Sequence, residues 1–397
     1  MLEITLVTDN EALKAICQQI SHNNAVAVDT EFKRETTYFP KACLIQLAID
    51  DLTVCVDPLS ITNFEPLKAI LYSPKITKIF HAARQDLEIF YLLFNEIPQP
   101  IFDTQIASAL LGGAEQVGYA TLVKKILNVE LDKSLTRANW EKRPIPDKQL
   151  IYAANDVIYL LKIYQHQIQA LETCGRREWL ANAFDFLLDK NLYRPDPDSA
   201  WKRIKNTHRL PKEQRCIVFK LAQWRETTAL KRNKPRTFII KNQSILDIAH
   251  QQPITIKELH NIKELHPSFI RRDGETVLKL VQSAKSMHED ACPSSAINQP
   301  LSNDQLLMLS DLQILIQLKA KENNIDSSYL STKKELEKLI RQEDSVLLHG
   351  WRYELAGRDA VKFINGKLIL KTSNGAVKLS ENQEGGINIP ITDRFPY

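Results

Sequence analysis

No apolar run in this 397-residue chain approaches the roughly 18 residues that a membrane-spanning helix needs. The opening Met1-Leu-Glu-Ile-Thr lacks the basic and apolar regions of a signal peptide. A soluble, cytoplasmic protein with no membrane partner is therefore expected. Cysteine is scarce and scattered: Cys17, Cys43, Cys55, Cys174, Cys216 and Cys292 show no close pairing, which argues against a zinc ribbon and against a disulfide framework. Cys43 and Cys55 fall in strand-like segments and read as small buried hydrophobes. What the chain has is bulk and unevenly placed charge. With 44% hydrophobic residues it can bury two or three domain cores. From Trp201 to Lys285 it carries 19 Lys and Arg against 7 Asp and Glu, an excess of twelve positive charges; since the whole chain is at +4, the remainder sits near −8. An acidic part followed by a basic module suits a protein that holds metal in one place and phosphates in another.

The segment Ala25-Val-Ala-Val-Asp-Thr-Glu-Phe32 reads as a buried strand ending in two acids. Asp29 and Glu31 are two residues apart, so both project from one face at a sheet edge, where ligands bind. Two carboxylates on one face repel unless a cation holds them, and a divalent metal with oxygen ligands is the natural candidate. A solvated strand end is the competing reading.

Far down the chain, Gln149 to Leu160 reads as one helix. Pro146 and Asp147 suit its first turn, and Leu150, Ala153, Ala154, Val157, Leu160 and Leu161 supply an apolar stripe. The i, i+4 spacing sets the Tyr152 hydroxyl beside the Asp156 carboxylate. Between these lies Lys78 to Phe90, a short strand ending near His81 and then a helix with Asp86 near its start and Leu87, Phe90 and Tyr91 facing inward. His81 reads as structural rather than catalytic.

Together these segments resemble the DEDD superfamily of 3′-to-5′ exonucleases: Asp-x-Glu, then an Asp, then a motif of the Tyr-x-x-x-Asp type. Within it the first 160 or so residues are most similar to the ribonuclease D family. The carriers include Val28-Asp-Thr-Glu-Phe32, Thr37-Tyr-Phe-Pro40, Gln85-Asp-Leu-Glu88, Phe102-Asp-Thr-Gln105, Leu131-Asp-Lys-Ser134, Trp140, Arg143-Pro144 and Tyr152-Ala-Ala-x-Asp-Val157. The resemblance implies Asp29, Glu31, Asp86 and Asp156 as ligands to two divalent ions, Mg²⁺ or Mn²⁺. Four carboxylates carry a formal charge of −4, which two such ions balance. Tyr152 is a poor general base, since a free phenol has a pKa of about 10, so its expected role is to orient the attacking water. Asp103 reads as a helix N-cap, and Asp50, Asp51 and Asp57 as turn residues. Lys133, Arg137 and Arg143, in a polar loop, are placed to face a polyanion, with solvated loop charges as the alternative. Phe32 and Tyr38 can stack on terminal bases; for Phe32 core packing is an equal reading.

Past Tyr193-Arg-Pro-Asp-Pro-Asp-Ser199, a linker by its prolines, Lys212 to Leu230 begins a series of short amphipathic helices. This stretch resembles the HRDC domain, a helical nucleic-acid-binding module, through Ala222-x-Trp-Arg225, Lys234-Pro-Arg-Thr-Phe238, Leu246 and Pro253. Lys231, Arg232, Lys234 and Arg236 form its densest basic cluster. Met287 to Pro300 reads as a linker. A looser HRDC-like helical region runs from Ser302 to Ala356, its first helix packed by Leu306, Leu309, Leu312, Leu315, Ile316 and Leu318. Beyond Asp359, alternating apolar residues punctuated by Asn365-Gly366 and Asn374-Gly375 predict a small β-hairpin or meander.

The expected fold is thus α/β: a ribonuclease H-like DEDD exonuclease domain with a mixed β-sheet flanked by helices over residues 1–193. Two all-α HRDC-type domains follow at 201–288 and 302–358, then a β-rich extension at 359–397. The resemblance implies a monomeric 3′-to-5′ exoribonuclease that trims transfer RNA precursors and other small structured RNAs, releasing nucleoside 5′-monophosphates. A 3′-to-5′ DNA exonuclease and a non-catalytic RNA-binding protein are the alternatives.

Overall fold

The computed structural model describes residues 4–114, 116–132, 138–181, 183–287, 292 and 301–382. They form two units, one built from Met1–Glu31, Ala42–Asp189 and Leu301–Tyr397, the other from Phe32–Lys41 and Lys190–Pro300.

The first unit holds a six-stranded mixed sheet in the order β1-β4-β3-β2-β5-β6. Its strands are β1 (Ile4–Val7), β2 (Ala25–Lys33), β3 (Lys41–Ile49), β4 (Leu52–Val56), β5 (Thr77–Phe80) and β6 (Ile101–Asp103). β3 and β4 form an antiparallel hairpin whose turn takes Asp50 and Asp51, whereas β2, β5 and β6 run parallel, with Ala27 opposite Ile79 and Phe80 opposite Asp103. Parallel strands are covered on both faces, so they read as unbroken apolar runs. Val26, Ala27 and Val28 accordingly have no exposed surface. The helices are α1 (Asn10–Ile20), α2 (Glu65–Leu71), α3 (Arg84–Phe94), α4 (Thr104–Leu110), α5 (Tyr119–Leu127), α6 (Asp147–Ile158), α7 (Leu160–Thr173) and α8 (Asp185–Leu188). The one helix expected around Tyr152 is two, α6 and α7, because the helix breaks at Tyr159. Cys43 and Cys55 are buried in β3 and β4, as their strand setting suggests.

One buried cation pins this sheet. Lys78, in β5, has no exposed surface, and its three ammonium protons go to the carbonyls of Ser73 (2.9 Å), Ile76 (2.6 Å) and Gln99 (2.6 Å).

In the second unit α9 (Lys212–Arg232), α10 (Arg236–Ile239), α11 (Asn242–Gln251), α12 (Ile256–His260) and α13 (Pro267–Lys285) enclose a core of Ile217, Leu221, Ile245, Ile248, Leu259 and Val277. The segment Thr37–Phe39 is part of it. Tyr38 is buried there, the Asn233 side chain accepts from the Tyr38 and Phe39 amides, and the Tyr38 hydroxyl donates to Glu226. Glu226 is fully buried and also takes two hydrogen bonds from Arg236 (2.5 and 2.6 Å) and one from Arg203 (3.1 Å). Burial pushes its carboxyl up, but the Arg236 and Tyr38 hydrogen bonds bring it below its ordinary pKa. The expectation of no disulfide is corrected here: Cys216 and Cys292 are bonded, with Cα atoms 5.3 Å apart across 76 residues of sequence. Sequence spacing cannot reveal a pairing that tertiary folding creates. Of the linker expected at Met287 to Pro300, only Met287 and Cys292 lie among the described residues.

The C-terminal part of the first unit comprises α14 (Asn303–Glu322), α15 (Ser327–Leu330), α16 (Lys333–Ile340), α17 (Gly350–Arg352), a π-helical turn at Tyr353–Gly357 and α18 (Arg358–Ile364). A capping box starts α14, with Ser302 and Gln305 satisfying each other's backbone amides. Leu309, Leu312, Leu315 and Ile316 pack inward, whereas Leu306, expected with them, is exposed. This part is fastened to the exonuclease part by stacked rings. Trp179 lies on Trp351 with centroids 4.8 Å apart, Arg176 covers Trp179, and Arg352 covers Trp351. Gly112, at φ +84, is within the same seam; a Cβ there would meet the Asn324 carbonyl at 2.3 Å. The β extension begins later than expected. Helix α18 occupies Asp359 to Ile364, and the hairpin is β7 (Leu368–Ser373) with β8 (Ala376–Glu381). Asn374 and Gly375 make its turn, both at positive φ, whereas Asn365-Gly366 ends the helix.

Candidate active site

Three of the expected acids converge. Asp29 and Glu31 project from the second half of β2, which runs on to Lys33 rather than ending at the acids, and Asp156 from α6; each offers a carboxylate oxygen such that the three oxygens lie within 4.8 Å of one another. The fourth, Asp86, is buried in the first turn of α3, where its Oδ1 accepts a 2.6 Å hydrogen bond from the Thr30 hydroxyl. Thr30, between the two acids of β2, thus ties strand to helix.

The electrostatics of this cluster are those of a cage for cations. Burial, followed by repulsion from Asp86, Asp156 and Glu31, pushes Asp29 well above the carboxylate range. Burial and the charges of Asp156 and Asp86 lift Glu31 to about 9. Burial lifts Asp86 to about 7 against the opposing Thr30 hydrogen bond, and lifts Asp156 to about 7. Among the described residues no Lys or Arg forms an ion pair with any of the four. Uncompensated buried carboxylates are costly, and hard divalent cations favour an all-oxygen donor set, so the residues fit divalent metal ions. Tyr152 stands one turn before Asp156 on α6, half-buried, its ring 6.0 Å from that of Trp140. Tyr119 was not foreseen near the cluster. Its hydroxyl donates to the Asn155 carbonyl at 3.0 Å, and burial together with the charges of Asp156 and Asp29 raises its pKa.

His81 is structural, as expected. Burial lowers its pKa; Nε2 donates to the Val117 carbonyl at 3.0 Å and Nδ1 lies 2.9 Å from the Thr104 hydroxyl oxygen. Asp103 caps α4, accepting from the amides of Gln105 and Ile106.

The residues expected to contact substrate fare differently. Arg143 is corrected: all five of its N–H donors are taken, two by Asp57 (2.6 Å each) and the others by the carbonyls of Cys43, Trp140 and Lys142. No donor remains for a phosphate. Tyr38 is corrected as well, being buried in the helical unit against Glu226 and Arg236. Arg236 is held by Glu226, and Arg232 makes a two-pronged pair with Asp273 at 2.7 and 3.1 Å. Lys231 and Lys234 are exposed and carry no ion pair among the described residues. Phe32 is half-buried, and Lys133 and Arg137 lie outside the described residues.

Two stretches of the chain match family models. Residues 4–171 match the 3′-5′ exonuclease family model and residues 215–281 the HRDC domain model. The chain is 34% identical over 381 residues to ribonuclease D of Bartonella henselae, covering 95% of this chain and 94% of the relative. It is 33% identical over 384 residues to ribonuclease D of Sphingobium indicum, covering 95% and 99%. Among solved structures, Escherichia coli RNase D, described as an exoribonuclease involved in structured RNA processing, superposes with a TM-score of 0.82. The identity there is 33%, over 91% of this chain and 98% of that one. The chain belongs to the ribonuclease D family of 3′-to-5′ exoribonucleases.

Proposed function

We propose that this chain removes nucleotides one at a time from the 3′ ends of transfer RNA precursors and other small structured RNAs, releasing nucleoside 5′-monophosphates with two divalent ions, Mg²⁺ or Mn²⁺. The observation that carries the reading is the clustering of the half-buried Asp29, Glu31 and Asp156, with the buried Asp86 adding to the same negative charge. Asp29, Glu31, Asp86 and Asp156 would hold the ions. When bound, such ions bring a water toward a pKa of about 7 and stabilise the charge on the leaving oxygen. The chain's own residues do the rest. Tyr152 orients the water by a hydrogen bond. Thr30 fixes the Asp86 carboxylate so that it enters the cage already oriented. Lys231 and Lys234 are the cations of their cluster left free for phosphates among the described residues, and Lys133, Arg137 and Phe32 are assigned to the RNA path on sequence grounds.

We further assign the exonuclease domain to residues 1–193 and the first HRDC domain to 201–288. The second, HRDC-like domain is placed at 302–358 and the extension after it. The protein is read as a cytoplasmic monomer; no helix among the described residues is long and apolar enough to cross a membrane.

The test is a time course on a 5′-labelled transfer RNA with a short 3′ extension, beside a DNA strand of matched sequence, in Mg²⁺ or Mn²⁺. The expected result is a ladder shortening from the RNA 3′ end, absent in Asp29→Asn and Asp156→Asn. Equal or faster trimming of the DNA would overturn the substrate assignment, and binding of RNA without any product would leave a non-catalytic binding protein.

A further inference from the structure

The carboxylate of Asp103 does more than cap one helix. It ends β6, is 2% exposed, and accepts four backbone hydrogen bonds from two different turns. On its own side it takes the amides of Gln105 (2.8 Å) and Ile106 (3.3 Å); across the sheet it takes those of Ala82 (3.2 Å) and Ala83 (2.8 Å), in the turn that leads from β5 into α3. Among the described residues no Lys or Arg pairs with it, and the four backbone amides hydrogen-bond its charge.

That turn has an unusual shape. Ala82 lies at φ +58, the left-handed region that a residue with a Cβ avoids at a cost of about 1–2 kcal/mol. Such a conformation persists only where its surroundings over-determine it. Here they do: Asp103 grips the amides of Ala82 and Ala83, while the His81 ring is fixed between Thr104 and Val117. Ala83 is the N-cap of α3, and Asp86 follows three residues later in its first turn. The direction in which α3 leaves the sheet therefore sets where the Asp86 carboxylate stands.

We propose that Asp103 is a positioning residue. Through four backbone amides it holds the β5–α3 turn in the left-handed shape that sets Asp86 beside Asp29, Glu31 and Asp156, without itself binding metal or RNA. The inference rests on the metal-cage reading above. Asp103→Asn is nearly isosteric but turns one oxygen into an N–H₂ group, which faces backbone donors it cannot accept from. Glycine at position 82 adopts the left-handed shape freely, so Ala82→Gly supplies by conformational freedom what Asp103 supplies by grip.

The experiment is a calorimetric Mn²⁺ titration of the full chain, with metal-free RNA binding measured in parallel. Asp103→Asn is expected to weaken Mn²⁺ binding about 10- to 100-fold, the range for residues that orient metal ligands, with metal-free RNA binding unchanged. Adding Ala82→Gly to it should recover roughly fivefold or more of the loss. Wild-type Mn²⁺ affinity in Asp103→Asn, no recovery in the double variant, or failure of both variants to fold would each overturn the proposal. If instead wild type itself binds no Mn²⁺ and shortens no RNA, the metal-cage reading fails first; a wild type that does both beside an unaffected Asp103→Asn sinks only this inference.

Discussion

Arg143 and Tyr38 carry groups that suit RNA, a guanidinium and an aromatic ring, and the fold uses both internally. A guanidinium has five donors and a phosphate takes two; Arg143 spends all five on Asp57 and three carbonyls. Nothing in the local sequence shows that Asp57, 86 residues away, will be its partner. Arg143→Ala should therefore cost about 3 kcal/mol of stability, the scale for breaking a largely buried pair, and leave RNA affinity unchanged. Urea unfolding and RNA binding of the same variant check both halves, and weakened RNA binding at full stability would restore Arg143 to the substrate path. The acids were more legible, because their spacing alone puts Asp29 with Glu31 and Tyr152 with Asp156 on common faces. Their raised pKa values carry a pH prediction. A carboxyl whose folded pKa lies above its unfolded one leaves the metal-free folded state binding more protons than the unfolded state, so stability falls as pH rises through the raised values, about 7 for Asp86 and Asp156 and about 9 for Glu31. Metal binds the deprotonated form and reverses that loss. The rise in melting temperature on adding Mn²⁺ should grow from about pH 5 to pH 8; a constant rise across that range would mean that the ion binds elsewhere.

At the scale of elements, period and punctuation were readable where packing merely follows them. Strand β2 opens with an apolar run and carries the acids in its second half, α3 begins where the sequence turns polar before Leu87, and Asn374-Gly375 makes the hairpin turn. Elsewhere long-range contact decided. The chain after β2 belongs with the helical unit because Tyr38 finds Glu226, 188 residues on, and no periodicity encodes that. The Cys216–Cys292 bond is of the same kind. Closing a loop of this length is worth about 4 kcal/mol in the chain-entropy model, so reductant should lower the unfolding midpoint of the helical unit markedly, and Cys292→Ser should abolish that sensitivity. An identical midpoint with and without reductant in wild type would show that the bond does not form in solution.

The whole molecule pairs a cluster of acids with a basic helical module, an asymmetry already visible as a +12 segment in a chain of net charge +4. Of the cluster at residues 231–236, only Lys231 and Lys234 are free of ion pairs among the described residues, since Arg232 and Arg236 are held by Asp273 and Glu226. Replacing both lysines with Ala should weaken RNA binding and flatten its salt dependence by about two units of slope at most, with the rate on saturating RNA preserved. An unchanged slope would move the RNA path to another face of the module. Catalysis by this chain requires that the four acids hold divalent ions. The most direct measurement is a calorimetric Mn²⁺ titration of wild type and Asp29→Asn in the presence of a nucleoside 5′-monophosphate. Two ions per wild-type chain, with tight binding lost in the variant, is the predicted result; equal uptake by the two proteins, or none by either, would contradict it.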